Sequence, residues 1–233
     1  MRVITSEVEF MSKGASHARR GFEYQRYVCL PDGSTTLSVT SIALDKSIFR
    51  EVVINLNDKM RPLDSYVRIH HGTRLEGNGW FQFGKKAVTA DIWNEKIGLW
   101  QDRAEADTGV RGFCAHPISC DLLLAASFDR ASNDRVQLLD GIFMSSPHHF
   151  GATGPEIASV LLEMEYVGQE RLTTKVGELE TDHWRILPGN SRTGHTHPGE
   201  DLWALKDTFL FVHAEIESIG FEYRLTRFQD DEF

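Results

Sequence analysis

Apolar and polar residues alternate along most of this chain, in short runs separated by turn residues. The clearest run is 159–167: Val160, Leu162, Met164 and Tyr166 are apolar, with Glu163 and Glu165 between them. A repeat of two sends these sets to opposite faces of a sheet. Residues 35–44 alternate in the same way and are rich in β-branched side chains. Further strands are predicted at 23–30, 49–56, 65–71, 79–83, 87–93, 99–104 and 136–144. Others follow at 170–176, 181–187, 202–205, 209–216 and 221–228. Breaks such as Pro31-Asp32-Gly33 and Asn57-Asp58-Lys59 carry turn chemistry. Turns about every 8–12 residues favour a sandwich or barrel over alternating βα units. One stretch departs from the pattern: residues 120–127 read as a helix, with Ser119 as N-cap and Asp121 in the first turn. Residues 1–22 read as an N-terminal arm, because 11–21 are polar and without period. The expected fold is mainly β. It is a single antiparallel barrel or half-barrel domain over 23–233, with about 10–13 strands and one short helix.

Composition narrows the function. The chain has 233 residues, 41% hydrophobic, enough for a substantial core. Its net charge of -9, with no Lys/Arg run longer than Arg19-Arg20 or Lys85-Lys86, disfavours nucleic acid and anionic membranes as partners. The first ten residues lack a basic segment followed by an apolar one, and no apolar run approaches about 18 residues. Cys29, Cys114 and Cys120 form an odd set without a CxxC pair, consistent with free thiols in a reducing compartment. A cytoplasmic location is expected. No glycine-rich nucleotide fingerprint is present, since Gly109-Val-Arg-Gly112 is too short, and no cofactor is expected.

The candidate chemistry gathers mainly where strands break, as binding groups on a β scaffold tend to do. His116, after Cys114 and before Pro117, lies a few residues from Asp121, a carboxylate that would orient the imidazole and raise its basicity. Ser145-Ser-Pro-His148-His149 opens a loop rich in Gly and Pro, without the Gly-x-Ser-x-Gly elbow of a hydrolase. His195-Thr-His197 precedes Glu200 and Asp201. There His197 is paired with Asp201 for proton transfer, or the two histidines bind a metal with His149 or Asp201 as third ligand. Tyr66, Arg68 and His70 share one face of a strand and would clamp an anionic or phenolic group. Trp80 and Trp203 are candidates to line an aromatic-binding cavity. His183 with Arg185, and His213 with Glu215 and Glu217, read as cross-strand polar pairs.

The cadence Tyr166-Val-Gly-Gln-Glu170, Thr173 to Arg185, Leu202-Trp203, Phe209 to Glu215 and Tyr223-Arg-Leu225 resembles an uncharacterised bacterial family of curled antiparallel sheets. That family is similar in architecture to the lipoprotein-carrier (LolA/LolB-like) half-barrels, mainly over 160–228. The resemblance implies a sheet wrapped around an apolar ligand cavity.

Three functions follow. The first is a cofactor-independent lyase acting on a small apolar or aromatic molecule, for instance a lignin-derived one. Its acid–base residues would be His116, His149, Asp121, His197 and Asp201, with Tyr66, Arg68, His70, Trp80 and Trp203 binding the substrate. The second is a non-catalytic lipid or fatty-acid carrier, and the third a His-ligated metalloenzyme. The arm and the open sheet edges are compatible with a homodimer.

Overall fold

A computed structural model describes the whole chain except residues 15–16, 149 and 191–195, and the side chains of 190 and 196. The first half is a meander: β1 (Arg2–Ser12), β2 (Arg19–Cys29), β3 (Thr35–Ala43), β4 (Ile48–Leu56), β5 (Pro62–His71), β6 (Arg74–Phe83), β7 (Ala87–Asn94) and β8 (Gly98–Glu105). A short strand β9 (Gly112–Cys114) leads into helix α1 (Ile118–Leu123) and one 3-10 turn, Leu124–Ser127. The second half comprises β10 (Val136–Met144), β11 (Ala158–Thr174), β12 (Gly177–Ile186), β13 (Gly189–Asn190), β14 (Thr196–His197), β15 (Glu200–Leu205), β16 (Phe211–Ile216) and β17 (Phe221–Glu232).

The main sheet has 15 strands in the order β8-β7-β6-β5-β4-β3-β2-β1-β17-β16-β15-β12-β11-β10-β9. It is curled but not closed, since β8 and β9 lie at opposite ends. Its neighbours pair antiparallel except β9 with β10. The count is above the expected 10–13, partly because residues 2–12 are not an arm. They form β1, which lies mid-sheet between β2 and β17. Its inward set is Ile4, Ser6, Val8 and Phe10, and the serine weakened the apolar alternation. Ser6 hydrogen-bonds Gln25 instead, at 2.9 Å.

Alternation decides what enters the curl. Along β4, Ile48, Arg50, Val52, Ile54 and Leu56 are buried while the intervening residues are half-exposed. Along β11, Val160, Leu162 and Met164 are buried as the sequence predicts. Fully burying such an aliphatic side chain contributes roughly 1.5–3 kcal/mol. All six residues of α1 are buried, and the helix packs against β9, β15 and β16 while bonding to β2, so it plugs the inside of the curl. Its N-cap is Pro117 rather than Ser119. The Ser119 hydroxyl is instead committed to a strand residue, Glu23.

Candidate active site

The site begins with a row across three strands. Glu23 on β2 pairs in register with Ser41 on β3, and Ser41 with Arg50 on β4. All three face inward and are buried. Glu23 reaches the start of α1: its Oε2 accepts the Ile118 backbone N–H at 2.9 Å, and its Oε1 accepts from Ser119 at 3.0 Å and from Gln25 at 3.1 Å. Burial nevertheless raises its pKa, the hydrogen bonds opposing in part. The Arg50 guanidinium donates to the Phe150 carbonyl at 2.5 Å, and its Nε has no partner among the described residues. Burial lowers its pKa, against the pull of Glu23.

The plug supplies the next groups. Asp121, in the first turns of α1, accepts from the Cys114 thiol at 2.6 Å. Burial pushes that thiol well up, so it stays S–H and donates. Burial also lifts Asp121 well above the usual carboxylate range, helped by Glu200 and opposed by His197. His116 sits just before the helix with φ 71, in the left-handed region that non-glycine residues avoid. Its Nε2 lies 3.2 Å from the Ser146 carbonyl oxygen, which only accepts, so the neutral ring carries its proton on Nε2. A Cβ at Gly151 would fall 2.3 Å from the His116 ring, so this close approach requires glycine.

The second half of the chain closes the site. Glu200 opens β15 in phase with the buried Leu202 and Ala204. Its Oε1 lies 3.9 Å from His197 Nε2, and its Oε2 has no hydrogen-bond partner among the described residues. Burial raises Glu200 to about 8. Ligand atoms of Asp121, His197 and Glu200 lie within 4.8 Å of one another, and all three residues are buried. Three other buried acids, away from this cavity, are ion-paired: Glu165 with Arg135 and Arg185, Asp182 with Arg130, and Glu222 with Arg224. Among the described residues, Asp121 and Glu200 form no ion pair with a lysine or arginine.

These groups meet at a cavity of about 80 Å³. Glu23, Arg50, His116, Asp121 and Glu200 form its polar part. Phe10, Ile48, Phe150, Ile216, Phe221 and Tyr223 form its apolar wall. At the rim Arg20 lies over the Phe221 ring, 3.3 Å from its centroid, and bonds Asp45. Lys46 stands 5.8 Å from the Phe150 ring.

Only part of the sequence-predicted set converges here. His116 and Asp121 line the cavity and His197 borders it. His149 and His195 lie outside the described residues. Asp201 is not a partner of His197. One residue after Glu200, it points to the other face, bonding His183 at 2.7 Å and Arg185 at 2.8 Å. Trp203 follows the same phase and stacks on His183, with centroids 4.1 Å apart, away from the cavity. Tyr66, Arg68 and His70 alternate with the buried Val67 and Ile69 and so face outward, where Arg68 bonds Tyr66 and Glu51. Trp80 is outward too and 48% exposed, beside Leu63, Asp64 and Gln82 in an open outer groove and away from this cavity. The sequence reading missed Glu23, Arg50 and Glu200. Their signal was an ionisable residue in phase with an inward apolar set.

No family model matches this chain, and no curated protein matches it. Among solved structures it is similar to a β-barrel-like protein of a domain of unknown function, DUF1849, from Brucella abortus. The TM-score is 0.64 at 7% identity, covering 99% of this chain and 98% of that one. A DUF1329 family protein from Desulfovibrio piger gives a TM-score of 0.23 at 9% identity, over 99% of this chain and 84% of that one, too low to carry an argument. The first likeness concerns fold alone.

Proposed function

We propose that the cavity is the active site of a lyase acting on a small molecule with an apolar or aromatic body. One observation carries the reading: three buried carboxylates and a single buried guanidinium converge with His116 beneath an aromatic wall. Burying charge is costly, and a packed apolar core of equal volume is often at least as stable. Charge retained there, opening onto a cavity, is best accounted for by chemistry. In this reading His116 accepts a proton from substrate. The Arg50 guanidinium steadies the anionic end, and the rings of Phe10, Phe150 and Phe221 take the apolar body. A lyase moves one proton to a base and returns one from an acid, so the net reaction consumes no oxidant or reductant.

Size and polarity support this over lipid carriage, the function suggested by the half-barrel resemblance. A volume of about 80 Å³ holds about three waters. That accommodates the reacting end of a substrate and is far short of an acyl chain. The test is a panel of small hydroxylated aromatic and aliphatic acids incubated with purified protein, with consumption followed by chromatography and mass spectrometry. Turnover that falls at least about 100-fold in His116→Ala, with folding intact by circular dichroism, supports the reading. Turnover that survives in both His116→Ala and Arg50→Met overturns it.

A further inference from the structure

We propose that Asp121, His197 and Glu200 form a binding site for one divalent first-row transition-metal ion, of the zinc, iron or manganese class. The inference rests on reading the cavity as an active site, and it adds a cofactor to it.

The geometry comes first. One atom from each residue falls within 4.8 Å of the others, and all three side chains are at least nine-tenths buried. Three ligand atoms around one ion with bonds of roughly 2.0–2.2 Å stand about 3.3–3.8 Å apart in tetrahedral to trigonal geometry, so binding needs these side chains to close by at most about 1.5 Å. The histidine is already in its ligating tautomer. His197 Nδ1 lies 2.7 Å from the Pro198 carbonyl oxygen, which can only accept a hydrogen bond. The proton therefore sits on Nδ1, and Nε2, the atom nearest Glu200, carries the lone pair. Backbone support of this kind is what fixes ligating imidazoles elsewhere. Asp121 is oriented by the Cys114 thiol on Oδ1, and Glu200 Oε2 is buried with no partner among the described residues.

Charge points the same way. Glu23, Asp121 and Glu200 bring three negative charges when ionised and Arg50 brings one positive, leaving two that a divalent ion neutralises. A second triad, His213, Glu215 and Glu222, has similar spacing and serves as a contrast. There Arg224 bonds both oxygens of Glu222 at 2.5 Å, and Lys13 donates to Glu215 at 2.7 Å. Cations already occupy that cluster, whereas at Asp121 and Glu200 none is present among the described residues. One imidazole with two carboxylates suits zinc, iron and manganese better than the all-oxygen calcium and magnesium. Because Asp121 and Glu200 also line the cavity, a bound ion would be within reach of a substrate oxygen there.

The experiment is metal content and metal titration on the full chain. Protein purified without chelators is assayed by elemental mass spectrometry. Chelator-treated protein is then titrated calorimetrically with zinc, manganese and ferrous chlorides, the last anaerobically. One tightly bound ion per chain is expected, with affinity falling at least about 100-fold in Glu200→Gln and His197→Gln and unchanged in Glu215→Gln. Should either variant unfold, cobalt-loaded wild-type protein gives a second readout. Visible bands of a low-symmetry cobalt site support the assignment, and a fully aquated spectrum overturns it. The assignment also falls if folded wild-type protein binds none of the three ions, or if Glu200→Gln and His197→Gln bind as wild type does. Loss of turnover in His116→Ala without any metal binding would retain the active site and remove the metal. Specific metal binding without turnover on any substrate would do the reverse.

Discussion

Replacing Glu200 by glutamine in the metal-free protein should restore stability that the wild type loses at alkaline pH. Burial moves this carboxyl from an ordinary 4.5 to about 8. Between those pH values the folded chain holds a proton that the unfolded chain has released. The stability tied to this group is therefore fully present below about 4.5 and is lost as pH rises through about 8. At 1.36 kcal/mol for each tenfold change in proton affinity, the gap from 4.5 to about 8 corresponds to about 5 kcal/mol as an upper bound. Glu200 is only 4% exposed, so solvent screening removes little of it. Asp121 adds in the same direction, because Glu200 helps to lift it. Glutamine keeps the shape and carries no charge at any pH.

The assay is urea unfolding of chelator-treated wild type and Glu200→Gln near pH 5 and pH 9. The two proteins should agree to within about 1 kcal/mol at the lower pH, and the variant should lead by about 2–5 kcal/mol at the higher. A difference that stays constant with pH would refute the reasoning, since it would mean that Glu200 is not held protonated by the fold.

Arg50→Met leaves the carboxylates without their buried cation and should cost about 3–5 kcal/mol in urea unfolding near neutral pH. Part of that loss should return in the double variant with Glu23→Gln; strictly additive effects would show that the two do not communicate. Gly151→Ala places a Cβ against the His116 ring at a position with φ 57. It should lower stability by about 2 kcal/mol and cut turnover at least about tenfold. Turnover equal to wild type would show that the His116 position does not matter. Asp201→Asn, on the outer face with His183 and Arg185, should leave turnover within about twofold, and a loss beyond about tenfold would return Asp201 to the chemistry.

Much of the fold was legible because one sheet face is buried and the other is not. Val160, Leu162 and Met164 announce β11 by alternation alone, and the turn residues mark the hairpins. β1 was harder, since Ser6 stands at an inward position and the polar residues 11–21 follow it. The local part of the site was legible as well, because His116 and Asp121 are separated by less than two helical turns. What failed was phase. Asp201 and Glu200 are adjacent in sequence, and the choice between them depends on which faces inward with Leu202 and Ala204. The same rule, applied strictly, selects Glu200 and rejects Trp203, and it picks out Arg50 among Ile48, Val52 and Ile54. It also sends Tyr66, Arg68 and His70 outward.

The origin of the site's parts bears on why its chemistry and its fold are tied together. Glu23 and Arg50 come from the first meander, His116 and Asp121 from the plug, and His197 and Glu200 from the second half. These residues are spread from position 23 to position 200, and the curl of the sheet around α1 brings them together. In a flat sheet β2 and β15 would be separated by β1, β17 and β16, so their inward faces would stand four strand spacings, about 19 Å, apart. Curling removes that distance across the lumen, and Glu23 shows the connection directly by bonding Ile118 and Ser119 of the plug. The three carboxylates thus sit close because the sheet curls, and their repulsion opposes the curling unless a proton, Arg50 or a metal ion offsets it. A ligand that neutralises them should therefore stabilise the curled state as a whole, and the stabilisation should vanish in Glu200→Gln.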